Sequence, residues 1–257
     1  MLLLDSLKAL PWQVALLLFL VENLVVLLLA VGFGYLLQWL FGKGRALGPL
    51  YHPVTRPEIG LAFCTLLLNT GITYAGFWLW QQGLIQIRTD VSYRVLLDFL
   101  VLFLGMDLLM YVFHYLIHHT VLYRWVHGLH HHYTSPQPLD LFVLHPIETV
   151  GFGGLWLLLM YVYPASFAAI VAYLTVNVLF GVLGHCGVEP FPASWARHPL
   201  LKHLGSSGFH FQHHQHDTHN FGFYTSLWDR LFGTYASGLT PGPDSLTPGP
   251  SPVERGA

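Results

Sequence analysis

Asp107-Leu-Leu-Met-Tyr111-Val-Phe-His114-Tyr-Leu-Ile-His118 closes an apolar run that begins at Val95, and its reading decides both the fold and the chemistry of this chain. A run of about 20 apolar residues is long enough to cross a bilayer as a helix. Ionisable side chains are costly in such a setting and usually serve a function. Asp107, Tyr111, His114 and His118 follow steps of four, three and four. At about 100° per residue, those steps place all four on one stripe of the helix.

Two further clusters lie downstream. His127-Gly-Leu-His130-His131 and His210-Phe-Gln-His213-His214 repeat one device, a histidine followed one turn later by two more. Imidazole is the commonest protein ligand for iron, zinc and copper. Three short helical stretches with two or three imidazoles each could surround two metal ions without any cysteine. A lone histidine is more often a satisfied polar residue, and 17 histidines produce some clustering by chance. Two copies of one spacing beside a third pair exceed that. The same arithmetic turns His119 and His132 off their stripes and sets His216 and His219 away from the face of His210. These four are expected at the surface, in support of the ligands, or facing substrate.

Charged residues make up 9% of the chain and apolar ones 54%, against about 25% and 45–50% in an ordinary soluble domain. The composition is that of an integral membrane protein. With a formal net charge of -2 and scattered Lys and Arg, the chain has no basic surface for nucleic acid. Cys64 and Cys186 lie too far apart for a CxxC motif, which excludes a disulfide framework and an iron–sulfur site. Cys64 is expected in packing, and Cys186 draws interest because it follows His185.

Val14 to Phe41 and Ile59 to Trp80 read as two spans, the first with Glu22 and Asn23 inside it, and Val95 to His118 as a third. The first is too long for a signal-peptide core and has no small-residue cleavage site after it, so it is expected to be retained. Thr149 to Gly184 is a charge-free stretch of 36 residues divided near its middle by Pro164. It reads as a hairpin that enters and returns on one side. Alternating the spans puts Lys43, Arg45, Arg56, Arg124, Arg197, Lys202 and Arg230 on one side, leaving Lys8, Arg88 and Arg94 on the other. The richer side is cytoplasmic by the positive-inside rule, and all three histidine clusters fall there.

The expected fold is therefore an all-α, multi-pass integral membrane protein with about four membrane-embedded segments: two spans, a third span and a returning hairpin. A helical, histidine-rich cap sits on the cytoplasmic face, with a bacterial inner membrane as the expected location. Three regions follow: N-terminal transmembrane helices at 1–94, a catalytic domain at 95–235, and a Pro- and Gly-rich tail at 236–257. In that tail Leu239-Thr-Pro-Gly-Pro recurs at Leu246, a composition expected to be disordered.

The string from Asp107 to His118 continues through Tyr123-Arg124-Trp125-Val-His127-Gly-Leu-His130-His131 and closes with His210-Phe-Gln-His213-His214, Asn220-Phe-Gly222 and Trp228-Asp229-Arg230-Leu-Phe-Gly233-Thr234. Over residues 95 to 235 it resembles the fatty acid hydroxylase/sterol desaturase superfamily of membrane di-iron oxygenases. The resemblance implies a hydroxylase or desaturase of a sterol-like, fatty acyl or other isoprenoid lipid. It implies two iron ions held by histidines, dioxygen as co-substrate, and an external ferredoxin- or cytochrome-type donor with its reductase. Zinc could occupy the site as a misloaded form. The five-residue gap between His214 and Asn220 is similar to the pattern of C-5 desaturases and cholesterol 25-hydroxylases. His145, in His145-Pro146-Ile-Glu148, and His185, in Gly184-His185-Cys-Gly187, resemble two further family histidines; each is either a ligand or the anchor of a helix end. Tyr115 stands where many members carry Arg.

An unactivated lipid C–H bond has no acidic proton for a base to remove, so the chemistry calls for a redox-active metal. Neutral imidazoles bind iron without adding negative charge to a partly dry site. Asp107, Glu148, Glu189 and Asp229 are candidates to orient the rings, and Asp107 and Tyr111, sharing the His114/His118 stripe, are candidate catalytic residues. Asp98 is expected to pair with Arg94 one turn away. Tyr74, Phe77, Trp78 and Trp80 are expected to shape a lipid tunnel or to anchor the membrane boundary. Two other classes compete: a zinc-dependent membrane hydrolase, which would want a carboxylate base as in HExxH, and a haem carrier or metal transporter, which would place histidines in isolated pairs or deep along several spans.

Overall fold

The computed structural model describes residues 2–236; the tail from 237 onward, with its repeated Leu-Thr-Pro-Gly-Pro, lies outside the described residues. The chain runs through a short helix α1 (Leu2–Lys8), then α2 (Trp12–Arg45), α3 (Arg56–Gln81), α4 (Arg94–His118), α5 (Pro146–Val162) and α6 (Phe167–His185). Two small helices close it, α7 (Ser207–Gln215) and α8 (Leu227–Phe232). It is an all-α molecule whose only sheet among the described residues is a two-residue parallel pair, β1 (Ile87–Arg88) with β2 (Ala165–Ser166).

Four helices, α2, α3, α4 and α6, are long and apolar enough to cross a membrane. Only 11% of the most apolar window of α2 is buried inside the protein. Its outer face carries Leu29, 67% exposed, and Trp39, 78% exposed. An apolar surface that wide needs lipid against it, and the chain is a multi-pass membrane protein. At 17 residues α5 is the short arm of the hairpin, about 26 Å long at 1.5 Å per residue. Pro164 separates it from α6, since proline cannot continue the hydrogen-bond ladder.

The helix starts follow local chemistry. Thr55 and Glu58 form a reciprocal capping box at the head of α3, and Ser166 Oγ accepts from the Ala169 N–H at the head of α6. Close packing then sets α5 between its neighbours. A Cβ added at Gly153 would lie 2.4 Å from Ile72 Cδ1 of α3, and one at Gly151 would lie 2.2 Å from Phe113 Cζ of α4.

Two clasps define the ends of the bundle. At one end the Leu47 N–H donates to the Gly187 carbonyl and the Glu189 N–H to the Arg45 carbonyl, joining the ends of α2 and α6. At the other, β1 pairs with β2 and ties the α3–α4 connection to the hairpin turn. All three histidine clusters lie toward the first end, where α4 and α6 finish and α5 begins. Asp98 belongs to the second end and corrects the expected pair with Arg94. It accepts from Arg88 Nη2 at 2.6 Å, the Tyr163 hydroxyl at 2.8 Å and the Ser166 N–H at 2.9 Å. Arg94 heads α4 and is exposed, whereas β1 carries Arg88 across to the hairpin turn. Asp98→Ala is expected to cost about 3 kcal/mol, because the Ser166 N–H, the Tyr163 hydroxyl and Arg88 all lose one buried acceptor, and Arg94→Ala less than about 0.5 kcal/mol. Thermal unfolding in detergent checks this, and equal effects of the two substitutions would refute the assignment.

Candidate metal centre

Nine histidines converge in two groups. His114 and His118 come from the last two turns of α4, His127 from a π-turn (Tyr123–His127), His131 from a 3-10 turn (His130–His132) and His213 from α7; these five form the first group. His130, His185 at the end of α6, His210 and His214 form the second. The ligand atoms of each group lie within 4.8 Å of one another.

The groups divide the sequence motifs between them. On α7, relative to His210, His214 is rotated about 40° one way and His213 about 60° the other. His210 and His214 therefore face one group and His213 the other. His130 and His131 part in the same manner, because successive residues of a 3-10 turn differ by about 120°. Each HxxHH motif thus contributes to both groups, rather than lining one face toward one ion.

The ring tautomers follow from the neighbours. A carbonyl oxygen can only accept, so His114, His185 and His213 must donate from Nδ1 to the carbonyls of Phe221 (2.9 Å), Gly181 (2.9 Å) and His219 (2.7 Å). That leaves Nε2 as a lone pair in each. His127 Nδ1 lies 2.8 Å from Glu148 Oε1 and is fixed likewise. The lone-pair nitrogens of His114 and His127 then face each other at 2.9 Å, and His118 Nε2 lies 3.2 Å from His114 Nε2. In the second group His130 and His185 approach to 3.3 Å, and His210 and His214 to 3.2 Å. Nε2 of His131 and of His213 is buried with no partner. Nitrogens each about 2.1 Å from a common metal are separated by about 3.0 to 3.4 Å for angles between 90° and tetrahedral. The donor sets fit two metal ions. Burial, reinforced by neighbouring imidazoles, holds His127, His130, His131, His210, His213 and His214 well below the usual histidine range and keeps them neutral.

Among the four candidate carboxylates, Glu148 is the one that meets a ring. Asp107, proposed from its stripe, turns instead to the segment before α8. It accepts from the Tyr224 N–H (2.8 Å), the Thr225 N–H (3.3 Å) and hydroxyl (2.6 Å), and Trp228 Nε1 (3.0 Å). Asp229 accepts from the Phe221 and Gly222 N–H groups at 2.8 and 2.7 Å, and from the Thr234 hydroxyl at 2.7 Å. These two carboxylates thus hold residues 221–225, whose Phe221 carbonyl orients His114. A Cβ at Gly222 would lie 2.3 Å from the Thr225 carbonyl, so only glycine fits there. Tyr111 pairs its hydroxyl with that of Thr234 at 3.0 Å and stacks on Tyr115 and Phe232. Glu189 accepts from the Gly208 N–H at the head of α7.

His145 does not join either group. Its Nδ1 accepts from the Ile147 N–H at 3.2 Å and caps α5. His119, His132, His216 and His219 are exposed and lie in neither group. The backbone carbonyls of Gly181, His219 and Phe221 are functional partners that no side-chain pattern announces. The Asp217 contact to the Tyr123 hydroxyl at 2.6 Å, beside His118, is another.

A cavity of about 970 Å³ reaches His114, His127, His130, His185 and His210. Its walls are Val26, Leu66, Ile72, Met106, Trp156 and Ile170 among many apolar residues, with Asn23, Asn69 and Thr73 adding polar points. Tyr74, Phe77, Trp78 and Trp80 are not among its lining residues. Phe77 is buried against Phe19, Tyr74 and Trp80, and Trp78 faces outward. On α3 the cavity takes the face of Thr65, Asn69, Ile72 and Gly76, which turns those aromatics elsewhere.

This combination of apolar helices and paired imidazole groups defines a histidine-rich membrane protein. The fatty acid hydroxylase family model matches residues 99–234, over half of the 257 residues, and the chain belongs to that family. It is 30% identical over 129 residues to the Delta(7)-sterol 5(6)-desaturase of Leptosphaeria maculans, covering 50% of this chain and 34% of that protein. With a cholesterol 25-hydroxylase-like protein of Danio rerio the identity is 31% over 164 residues, covering 61% and 62%. With human (Homo sapiens) lathosterol oxidase it is 26% over 190 residues, covering 70% and 60%. The chain spans less than two thirds of the length of each of these curated relatives. No solved structure matches it.

Two outcomes follow from this geometry. His185→Ala is expected to lower bound metal, whereas His145→Ala leaves metal unchanged and costs about 1 kcal/mol of helix capping; elemental analysis together with thermal melts separates the two roles. For the metal-free protein, the unfolded chain takes up protons below about pH 6.5 that the buried imidazoles refuse. Stability is therefore full above that pH and falls as pH drops beneath it. A midpoint at about pH 5.5 equal to or above that at about pH 7.5 would contradict the neutral-imidazole assignment.

Proposed function

We propose that the chain is a membrane-bound, dioxygen-dependent lipid oxidoreductase with two irons. His114, His118, His127, His131 and His213 hold one ion; His130, His185, His210 and His214 hold the other. The observation that carries this reading is the convergence of nine imidazoles in two groups, five of them, drawn from both groups, at the wall of one large apolar cavity. The iron pair supplies activation of dioxygen and removal of hydrogen from an unactivated C–H bond.

The chain's own residues supply the rest. The cavity volume lies at the upper end of the roughly 300–1,000 Å³ range of small-molecule sites, and its apolar walls favour a lipid over water. Its walls come from α2, α3, α4, α5 and α6, and a lipid chain held within them would lie beside the imidazoles. The Nδ1–H bonds to Phe221, Gly181 and His219 carbonyls and to Glu148 keep the rings aimed inward. The relatives' names include a sterol desaturase, a cholesterol 25-hydroxylase-like protein and a lathosterol oxidase, which supports a sterol-like, fatty acyl or isoprenoid substrate. A separate ferredoxin- or cytochrome-type donor with its reductase delivers the electrons.

The position of Glu148 weighs against a hydrolase. It binds His127 on the Nδ1 side, away from the metal side, where it cannot act as base toward a metal-bound water. The positive-inside rule supports a cytoplasmic site. Lys43, Arg45, Arg56, Arg124, Arg197, Lys202 and Arg230 lie toward the histidine end of the chain's alternation, and Lys8, Arg88 and Arg94 toward the other.

Lipid analysis of a host with and without the protein, in air and without oxygen, tests the reading. The expected product is oxygen-dependent and either gains one oxygen atom or loses two hydrogens. His130→Ala and His213→Ala should each remove metal and turnover together, and normal turnover in either would overturn the proposal.

A further inference from the structure

A third cluster of ligand-type side chains lies outside the two imidazole groups. His52 comes from the α2–α3 connection, Glu58 from the first turn of α3, and Asp140 from a 3-10 segment (Pro138–Phe142) that follows the second histidine motif. Their ligand atoms lie within 4.8 Å of one another. Glu58 and Asp140 are fully buried, and His52 is 30% exposed at its side chain.

The two carboxylates are incompletely satisfied. Glu58 uses Oε2 for the Thr55 N–H, and Asp140 uses Oδ2 for the Gln137 N–H at 2.9 Å. Glu58 Oε1, Asp140 Oδ1 and His52 Nε2 are buried atoms without a hydrogen-bond partner. The Tyr133 hydroxyl interacts with Glu58 and its ring stacks on His52, closing one side. Among the described residues no lysine or arginine ion pair reaches either carboxylate. The one cationic candidate, His52, stands 3.8 Å from Glu58 and 3.5 Å from Asp140. Burying two carboxylates without a close counter-charge is costly, so such groups are paired or coordinate a metal.

We infer that His52, Glu58 and Asp140 form a third metal site, taking one divalent transition-metal ion of the zinc class through His52 Nε2, Glu58 Oε1 and Asp140 Oδ1. One imidazole and two carboxylates match zinc, which binds histidine nitrogen and carboxylate oxygen. The imidazole disfavours magnesium and calcium, which prefer oxygen throughout. A dication neutralises the two carboxylates. The Gln137 amide nitrogen lies 3.2 Å from His52 Nδ1, and the amide turned over completes the arrangement. Its oxygen and nitrogen occupy interchangeable positions. With the oxygen toward the ring it accepts from Nδ1–H, which leaves Nε2 as the lone pair facing Asp140.

Such an ion would join the α2–α3 connection, the head of α3 and the segment between His130–His132 and α5. That segment already packs tightly on α2, where a Cβ at Gly34 would lie 2.6 Å from Pro138 Cβ. The ion is a brace for the second histidine motif, independent of which metals the imidazole groups bind.

The test uses the full chain in detergent, equilibrated with Zn2+, desalted, and counted for metal per chain by mass spectrometry. His52→Gln and Asp140→Asn should each carry one equivalent less than the wild type. A His114→Ala/His213→Ala variant should lose metal from the imidazole groups and still lose one further equivalent when His52→Gln is added. Because the reading is a difference of one equivalent, it stands or falls apart from the di-iron proposal. Equal counts in wild type and His52→Gln overturn the inference. If Asp140→Asn fails to fold, anomalous density at the zinc edge in the wild type decides: a peak between His52, Glu58 and Asp140 supports the site, and its absence overturns it.

Discussion

Nine imidazoles gathered in a low-dielectric interior, with ring nitrogens of neighbouring residues facing one another, form the constraint on which the rest of the structure depends. The lone pairs of His114 and His127, 2.9 Å apart, repel. Something must hold the rings in that attitude, and the protein does so from behind, through Nδ1. Three of the four fixed rings are held by backbone carbonyls and one by Glu148. Carbonyl acceptors add orientation without charge, which suits a site at the membrane face.

The carbonyls themselves need fixing, and that explains the aspartates. Asp107 and Asp229 touch no imidazole, yet together they gather four N–H groups and three side-chain donors from residues 221–234. The loop so held presents the Phe221 carbonyl to His114. An intramembrane aspartate on the ligand stripe therefore acts one step removed from the centre. Its hydrogen bonds span 117 or more residues of sequence, from α4 to the last motif of the chain. Gly222 and the left-handed Asn220, with φ of 61°, let that loop close so tightly.

Helix geometry also sorts the ligands. Because neighbouring residues on α7 differ by about 100°, His213 and His214 reach different groups, and one short helix bridges two sites. A hairpin that returns to the same end brings His185 beside His130 and His210. The cavity lined by α2, α3, α4, α5 and α6 reaches imidazoles from both groups.

The sequence by itself determined the membrane class, the positions of the four long helices and the three histidine motifs. Those depend on local quantities, namely hydropathy over about 20 residues and spacing over one or two turns. It also carried the family resemblance, through the motifs from Asp107 to Thr234. Only the tertiary structure decided how those ligands partition, that Asp98 pairs with Arg88, that His145 caps a helix, and that Glu148 alone of the four carboxylates meets a ring. The grouping of His52, Glu58 and Asp140 was equally invisible, since 82 residues of chain separate Glu58 from Asp140. The physical reason is common to all of these. A hydrogen bond or ligand contact forms between groups that packing brings together, and its partner on one side is often a backbone carbonyl that every residue possesses.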